Sequence, residues 1–146
     1  TGGGGGAGYP SGGSGAPTGR GGSGVVILRR LTNPVVSNMT AISNSVTAQS
    51  VPTKSDFVML MENEQGTATL NTDIKAYVSR DNGSTFTQGT LVDEGTYATN
   101  TKILAFHDLD ISSQPSGSNM VYKIETLNQA NGVKSTSIKA TSLGWK

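Results

Sequence analysis

The sequence predicts an all-β fold: an antiparallel, jelly-roll-like β-sandwich preceded by an extended glycine-rich segment. Three observations lead there. From Val25 onward the chain consists of short runs rich in Val, Ile and Thr, broken by Gly, Asn, Asp and Pro turn signals, the pattern of strands joined by tight connections. No stretch carries the helical spacing of apolar residues at i, i+3, i+4 and i+7. Thirteen of the twenty glycines lie between Gly2 and Gly24 among Ser, Ala, Pro and Thr, a low-complexity composition.

The chain therefore divides into a glycine-rich assembly segment, residues 1–24, and a β-sandwich domain, residues 25–146. Glycines such as Gly12, Gly13, Gly15 and Gly19 miss the strict three-residue repeat of collagen. Ordering each backbone unit costs about 1–2 kcal/mol, more for glycine, and these side chains bury almost nothing in return. Alone, the segment is expected to be a flexible tether. Backbone hydrogen bonding to neighbouring subunits is the simplest way to hold it. Only small residues let several backbones meet at an axis, and closed cyclic assemblies are the common solution, so a homotrimer is expected. A hydrophobic fraction of 34% with 5% aromatics predicts a core whose stability depends on that association.

Val25-Val26-Ile27-Leu28 reads as a strand buried on both faces, in its own sheet or a neighbour's. Val35 to Val51 reads as a long, irregular, polar strand or strand pair. Phe57 to Met61 is a core strand, ended by Asn63-Glu64-Gln65-Gly66. Ile74, Ala76 and Val78 alternate with Lys75, Tyr77 and Ser79 before the Asp81-Asn82-Gly83-Ser84 turn and a return through Phe86, a hairpin pattern. Ile103 to Ile111 reads as one half-exposed strand, and Pro115 to Gly117 as a turn. Met120 to Leu127 and Val133 to Leu143 read as a final hairpin pair across Asn128 to Gly132. Seven to nine strands are expected.

Composition excludes several functions. With no cysteine and one histidine, the chain offers no disulfide, no thiolate nucleophile and no multi-histidine metal centre. Eleven basic and ten acidic residues without like-charge blocks argue against nucleic acid, and Arg20, Arg29 and Arg30 read as solvated strand flanks. The Val25–Leu28 run is too short for membrane insertion, and no signal-peptide pattern is present. The Thr1 start reads as part of a longer polypeptide and Trp145-Lys146 as its natural end, so a C-terminal module is expected.

The chemical candidates have plainer readings. Ser79, Asp81, Gly83, Thr85 and Phe86 match the Asp-box pattern S-x-D-x-G-x-T-[FW], a self-capped hairpin in which Asp81 accepts backbone N–H groups and Phe86 is expected to anchor the return strand in the core. Asp93-Glu94 and Asp108-Asp110 lack both the aromatic platform of a glycosidase and the loop of a calcium site, and read as solvated edges. His107 has no triad partners, and Gly2 to Gly6 lack the Gly-Lys-Ser/Thr of a phosphate loop. The expectation is no enzyme, no cofactor and no metal.

Two stretches carry a resemblance. Gly22-Ser23-Gly24-Val25-Val26-Ile27-Leu28-Arg29 resembles the GGSGVVIIRY ending of glycine-rich regions in phage tail-fibre and appendage proteins, with Arg30 where that pattern has Tyr. Asp73 to Gly83, Leu91 to Gly95, Asp110 to Gly117, Tyr122 to Thr126 and Ser142 to Trp145 are similar in order and spacing to a C-terminal β domain of tailed-phage structural proteins. The resemblance implies a virion component at the end of a fibre-like polypeptide, oligomeric, in contact with other virion structural proteins and serving host attachment. Gly22, Gly24, Val25, Val26, Ile27 and Leu28 are then the candidate assembly residues. Two other classes fit the same features: a carbohydrate- or receptor-binding module at a fibre tip, with Tyr9, Tyr97, Phe106 and Trp145 as aromatic anchors, and a subunit of an extracellular microbial filament.

Overall fold

The computed structural model describes residues 35–146. Nine strands and no helix form within them: β1 (Met39–Ile42), β2 (Val46–Thr47), β3 (Lys54–Gln65), β4 (Ile74–Ser79), β5 (Thr87–Gly89), β6 (Val92–Ala98), β7 (Thr101–Asp110), β8 (Asn119–Thr126) and β9 (Ser135–Trp145). One antiparallel sheet has the order β1-β8-β4-β5, with β2 also on β8, and the other has β6-β7-β3-β9. Packed face to face, they make a β-sandwich.

The inward faces follow the period of two. Ile74, Ala76 and Val78 of β4 are fully buried, as are Phe57, Met59 and Met61 of β3 to within 2%. Phe57 is the centre of the core. Its ring stacks on Phe106 of β7 at 5.6 Å and tilts against Tyr122 of β8 at 5.2 Å, so three aromatic rings join the two sheets, offset and tilted arrangements being the favourable ones. On the β5 side, Phe106 fills the space that a side chain at residue 89 would need. A Cβ on Gly89 would stand 2.3 Å from that ring, so glycine is required by close approach rather than by backbone angle.

The Val35–Val51 stretch, read as a strand or strand pair, holds two short strands, β1 and β2, which both pair with β8 and not with each other. The final pair is different: β8 and β9 are not hairpin partners. Both backbone edges of β8 are occupied, by β1 and by β4, so β9 crosses to the other sheet and pairs along β3, from Ser55↔Trp145 to Gln65↔Ser135. The Asn128–Gly132 turn chemistry forms a small local turn, with Lys134 N–H donating to Ala130 O at 3.0 Å. Strand β6 has no counterpart in the sequence reading. It is an edge strand exposed along nearly its whole length, so it shows no alternation to detect.

Two buried ionic groups bracket β4. At its C-terminal end Arg80, 6% exposed, donates Nε to Pro115 O at 3.1 Å, Nη1 to Pro52 O at 2.8 Å and Nη2 to Ser112 O and Gln114 O. Its backbone N–H donates to Gln114 Oε1, whose amide returns to Val78 O and Thr87 Oγ1, each at 2.8 Å. The carbonyls of an irregular connection, which lack ladder partners, thus solvate a guanidinium, and the guanidinium satisfies them. At the other end Asp73, 2% exposed, accepts from Thr69 N–H at 2.8 Å, from Asn128 Nδ2 at 2.7 Å and from Lys134 Nζ. The Asn128, Lys134 and Thr69 donors hold its carboxyl well below the usual carboxylate range.

Two outcomes follow. Arg80→Met keeps most of the apolar stem but strips four main-chain carbonyls of their donor, two of them, those of Pro52 and Gln114, in buried bonds. Stability should fall by about 3 kcal/mol or more, an unmade buried hydrogen bond costing roughly 1–3 kcal/mol; a urea-midpoint change equivalent to under about 1 kcal/mol would refute the role. For Asp73 the folded carboxyl titrates below its unfolded value of about 3.9, so its contribution is complete above that value and is lost as pH falls through the folded one. Urea midpoints measured from neutral to acid pH should decline below about pH 4, and Asp73→Asn should start lower and decline less. Parallel acid limbs would contradict this.

Candidate functional site

The Asp-box-like hairpin is built from its own hydroxyl. Asn82 and Gly83 both have positive φ, 61° and 82°, the signature of a type I′ hairpin turn. Buried Ser79 Oγ accepts from Gly83 N–H at 2.9 Å and Asp81 N–H at 3.2 Å and donates to Asp81 Oδ1 at 2.6 Å. Asp81 Oδ1 also accepts from Thr85 N–H at 2.8 Å. Burial pushes the Asp81 carboxyl up, but the Ser79 and Thr85 bonds outweigh it and the net shift is downward. Phe86 departs from expectation. It is half-buried on the outer face, where a Cβ on Gly83 would stand 3.5 Å from its ring. Gly89, not Phe86, is the return-strand residue buried against the core.

That outer face carries a cluster which the sequence does not single out. Tyr77 and Lys123 are register partners on β4 and β8, and Lys123 Nζ lies 4.0 Å from the Tyr77 ring centre and 5.0 Å from that of Phe86, a cation held against two π faces. Glu125 completes it, accepting from Tyr77 Oη at 2.8 Å and from Lys123 Nζ at 2.9 Å. Burial, then the Glu125 hydrogen bond and charge, push the Tyr77 phenol up to about 12. The β4–β8 pairing brings these residues together from positions far apart in the chain, and no local motif signals it.

The acidic pairs separate into individual contacts. Asp93 accepts from Gly95 N–H at 2.9 Å and pairs with Lys102 at 3.2 Å. Asp110 accepts from Ser112 N–H at 2.8 Å. Asp108, left-handed with φ 53°, donates its N–H to Asp56 Oδ1 at 2.6 Å and its carboxylate pairs with Lys146 at 2.5 Å. It sits where β7 places two residues, His107 and Asp108, opposite Asp56 of β3, a bulge that turns the imidazole outward. His107 Nε2 lies 2.7 Å from Glu94 Oε1 and Nδ1 lies 3.8 Å from Asp56 Oδ1. Among the described residues no three His, Asp or Glu side chains are arranged to hold a metal ion.

Clefts open at several places on the described domain. One of about 420 Å³ is lined by Thr47, Gln49, Ser50, Pro52, Trp145 and Lys146. A second, of about 340 Å³, has Val92, Glu94, Phe106 and His107 in its wall. The third, of about 290 Å³, is an apolar groove between the edge strands β1 and β9, lined by Met39, Ala41, Ile42, Ile124, Ile138 and Ala140 among others. Of the proposed aromatic anchors, Trp145 and Phe106 line different clefts, Phe106 is buried at 5% and Tyr97 is 67% exposed. Tyr9 and the assembly residues Gly22, Gly24, Val25, Val26, Ile27 and Leu28 lie outside the described residues.

Comparison of the chain with protein-family models, with curated proteins and with solved structures finds no match. The site is therefore defined by its geometry: a structural hairpin, an outer cation–aromatic cluster, and an apolar groove at an open side of the sandwich.

The cluster gives a spectroscopic test. Tyr77 is neutral below its unfolded value of about 10, and its contribution to stability is lost as pH rises towards about 12. In an ultraviolet phenolate titration one tyrosine should lag behind the exposed ones, and Glu125→Gln should move that step down. An unchanged titration in Glu125→Gln would show that Glu125 does not hold the phenol.

Proposed function

We propose that this chain is a non-enzymatic structural module of a tailed-bacteriophage particle, the C-terminal part of a tail fibre or related external appendage, which assembles as a homotrimer and serves host attachment. The observation that carries the reading is the conjunction, in one chain, of a glycine-rich front with no core-forming capacity and a sandwich whose β1–β9 side presents an apolar groove. The sequence resemblance to phage fibre and appendage modules supports the same reading. So does the use of polar groups in the described domain: Arg80, Asp73, Ser79 and Gln114 are all committed to links between strands and connections.

A second reading, glycan or receptor binding at a fibre tip, is favoured by one feature, the cleft that sets Trp145 beside Thr47, Gln49 and Ser50. An aromatic face flanked by hydroxyl and amide groups is how a sugar is held.

The primary reading is tested by sedimentation and melting of the intact chain and of a chain lacking residues 2–28. The intact chain should sediment as a trimer, and the deletion should give a smaller species with a lower Tm. A deletion that stays trimeric and equally stable would show that the β domain assembles by itself. A monomeric intact chain would overturn the reading, and glycan-array binding lost in Trp145→Ala would favour the second.

A further inference from the structure

We propose that the groove between β1 and β9 is the docking site for Val25-Val26-Ile27-Leu28 of a neighbouring copy, which enters as an added strand. This inference rests on the assembly reading above and gives it a location.

Four observations converge on it. First, among the described residues β1 and β9 end their respective sheets, so within the described domain each has an outer row of backbone N–H and C=O groups without a ladder partner, the template on which an extended segment adds. Second, the groove between them is lined by Ala41, Ile42, Ile124, Ile138 and Ala140, and the described domain leaves Val35, Met39, Ile42 and Val46 at least 40% exposed along the same flank. An apolar patch of this kind marks an interaction surface. The cleft on the β6–β7 side mixes Val92, Phe106 and Leu109 with the charged or polar Glu94 and His107.

Third, the occupant is a four-residue apolar run that lies outside the described domain. A strand apolar on both faces suits a position between two sheets, where each face meets one of them. Eleven residue steps separate Leu28 from Met39, a reach of up to roughly 40 Å when extended, enough to leave one copy and enter the next. Fourth, the charges agree. Arg29 and Arg30 follow the run, and the rim beside the groove holds two carboxylates, Glu62 and Glu64, against the single ammonium of Lys139 at 2.9 and 3.2 Å.

The absence of native cysteine makes the contact directly readable. Full-length chains carrying Val26→Cys are mixed with differently tagged full-length chains carrying Ala140→Cys, unfolded and refolded together, and oxidised. A heterodimer disulfide band should form, and should be lost when the second chain instead carries Gln88→Cys on the opposite edge strand. Ile42→Cys, on the other rim of the groove, provides a second reporter should Ala140→Cys fail to fold, and its chain should give the same band. A chain bearing both cysteines that closes the bridge within itself would overturn the proposal in favour of self-docking. Oligomers that sediment normally but cross-link at neither rim would overturn the docking place while leaving the assembly reading intact. A monomeric parent chain would remove both.

Discussion

The sandwich depends on a charge that has no counter-charge within hydrogen-bond reach. Arg80 is buried, and its guanidinium is solvated by four main-chain carbonyls, those of Pro52, Ser112, Gln114 and Pro115. These belong to the approach to β3 and to the connection from β7 to β8, while Arg80 itself ends β4. One side chain thus fastens together chain segments serving both sheets. Irregular connections are hard to bury because their carbonyls have no ladder. A planar donor array with fixed directions resolves that at one stroke, which a flexible lysine ammonium would not. Gln114 extends the network by accepting from Arg80 N–H and donating to Val78 O and Thr87 Oγ1.

The same logic recurs at the other end of β4. Asp73 gathers Thr69, Asn128 and Lys134, and so ties the start of β4 to the crossover that carries the chain from β8 to β9. Between these two poles the core is aromatic and shared, with Phe57 touching Phe106 and Tyr122. Buried polar networks of this kind are favourable only when complete, and among the described residues every buried side-chain N or O atom has a partner. The two ends of β4 are closed by polar links, and on the β5 side Phe106 packs over Gly89, while the β1–β9 side carries an apolar groove.

What the sequence discloses follows from how local the cause is. The fold class, the alternation of β4 and the turn at Asn82-Gly83 are legible because period and turn chemistry act within a few residues. Phe86 is not legible in this way because an aromatic after a turn can face either way, and here the outer face offers Lys123 across the sheet. The separation of β8 from β9 is hidden from the sequence because it follows from β8 having two other neighbours, a fact of topology rather than of local pattern. Arg80 and Asp73 gave no signal, since each looks like an ordinary polar residue at a strand end. Their burial arises only when connections distant in sequence close over them.

The two edges of the opening differ in a way that bears on finite assembly. A long edge such as β9, eleven residues at the end of its sheet among the described residues, would by itself favour unlimited strand addition. It is interrupted where Lys139 is inserted between the partners of Leu60 and Met61 and is held by Glu62 and Glu64. A bulge breaks the regular row of donors and acceptors, and a lysine there disfavours a second apolar edge. On the partner rim, β1 is four residues long, matching a short apolar segment and little more. An opening so limited admits one short strand in a restricted register. In the docking proposed above each copy would give one segment and offer one groove, a head-to-tail contact that makes a finite ring where the rotation between copies closes and a filament where it does not.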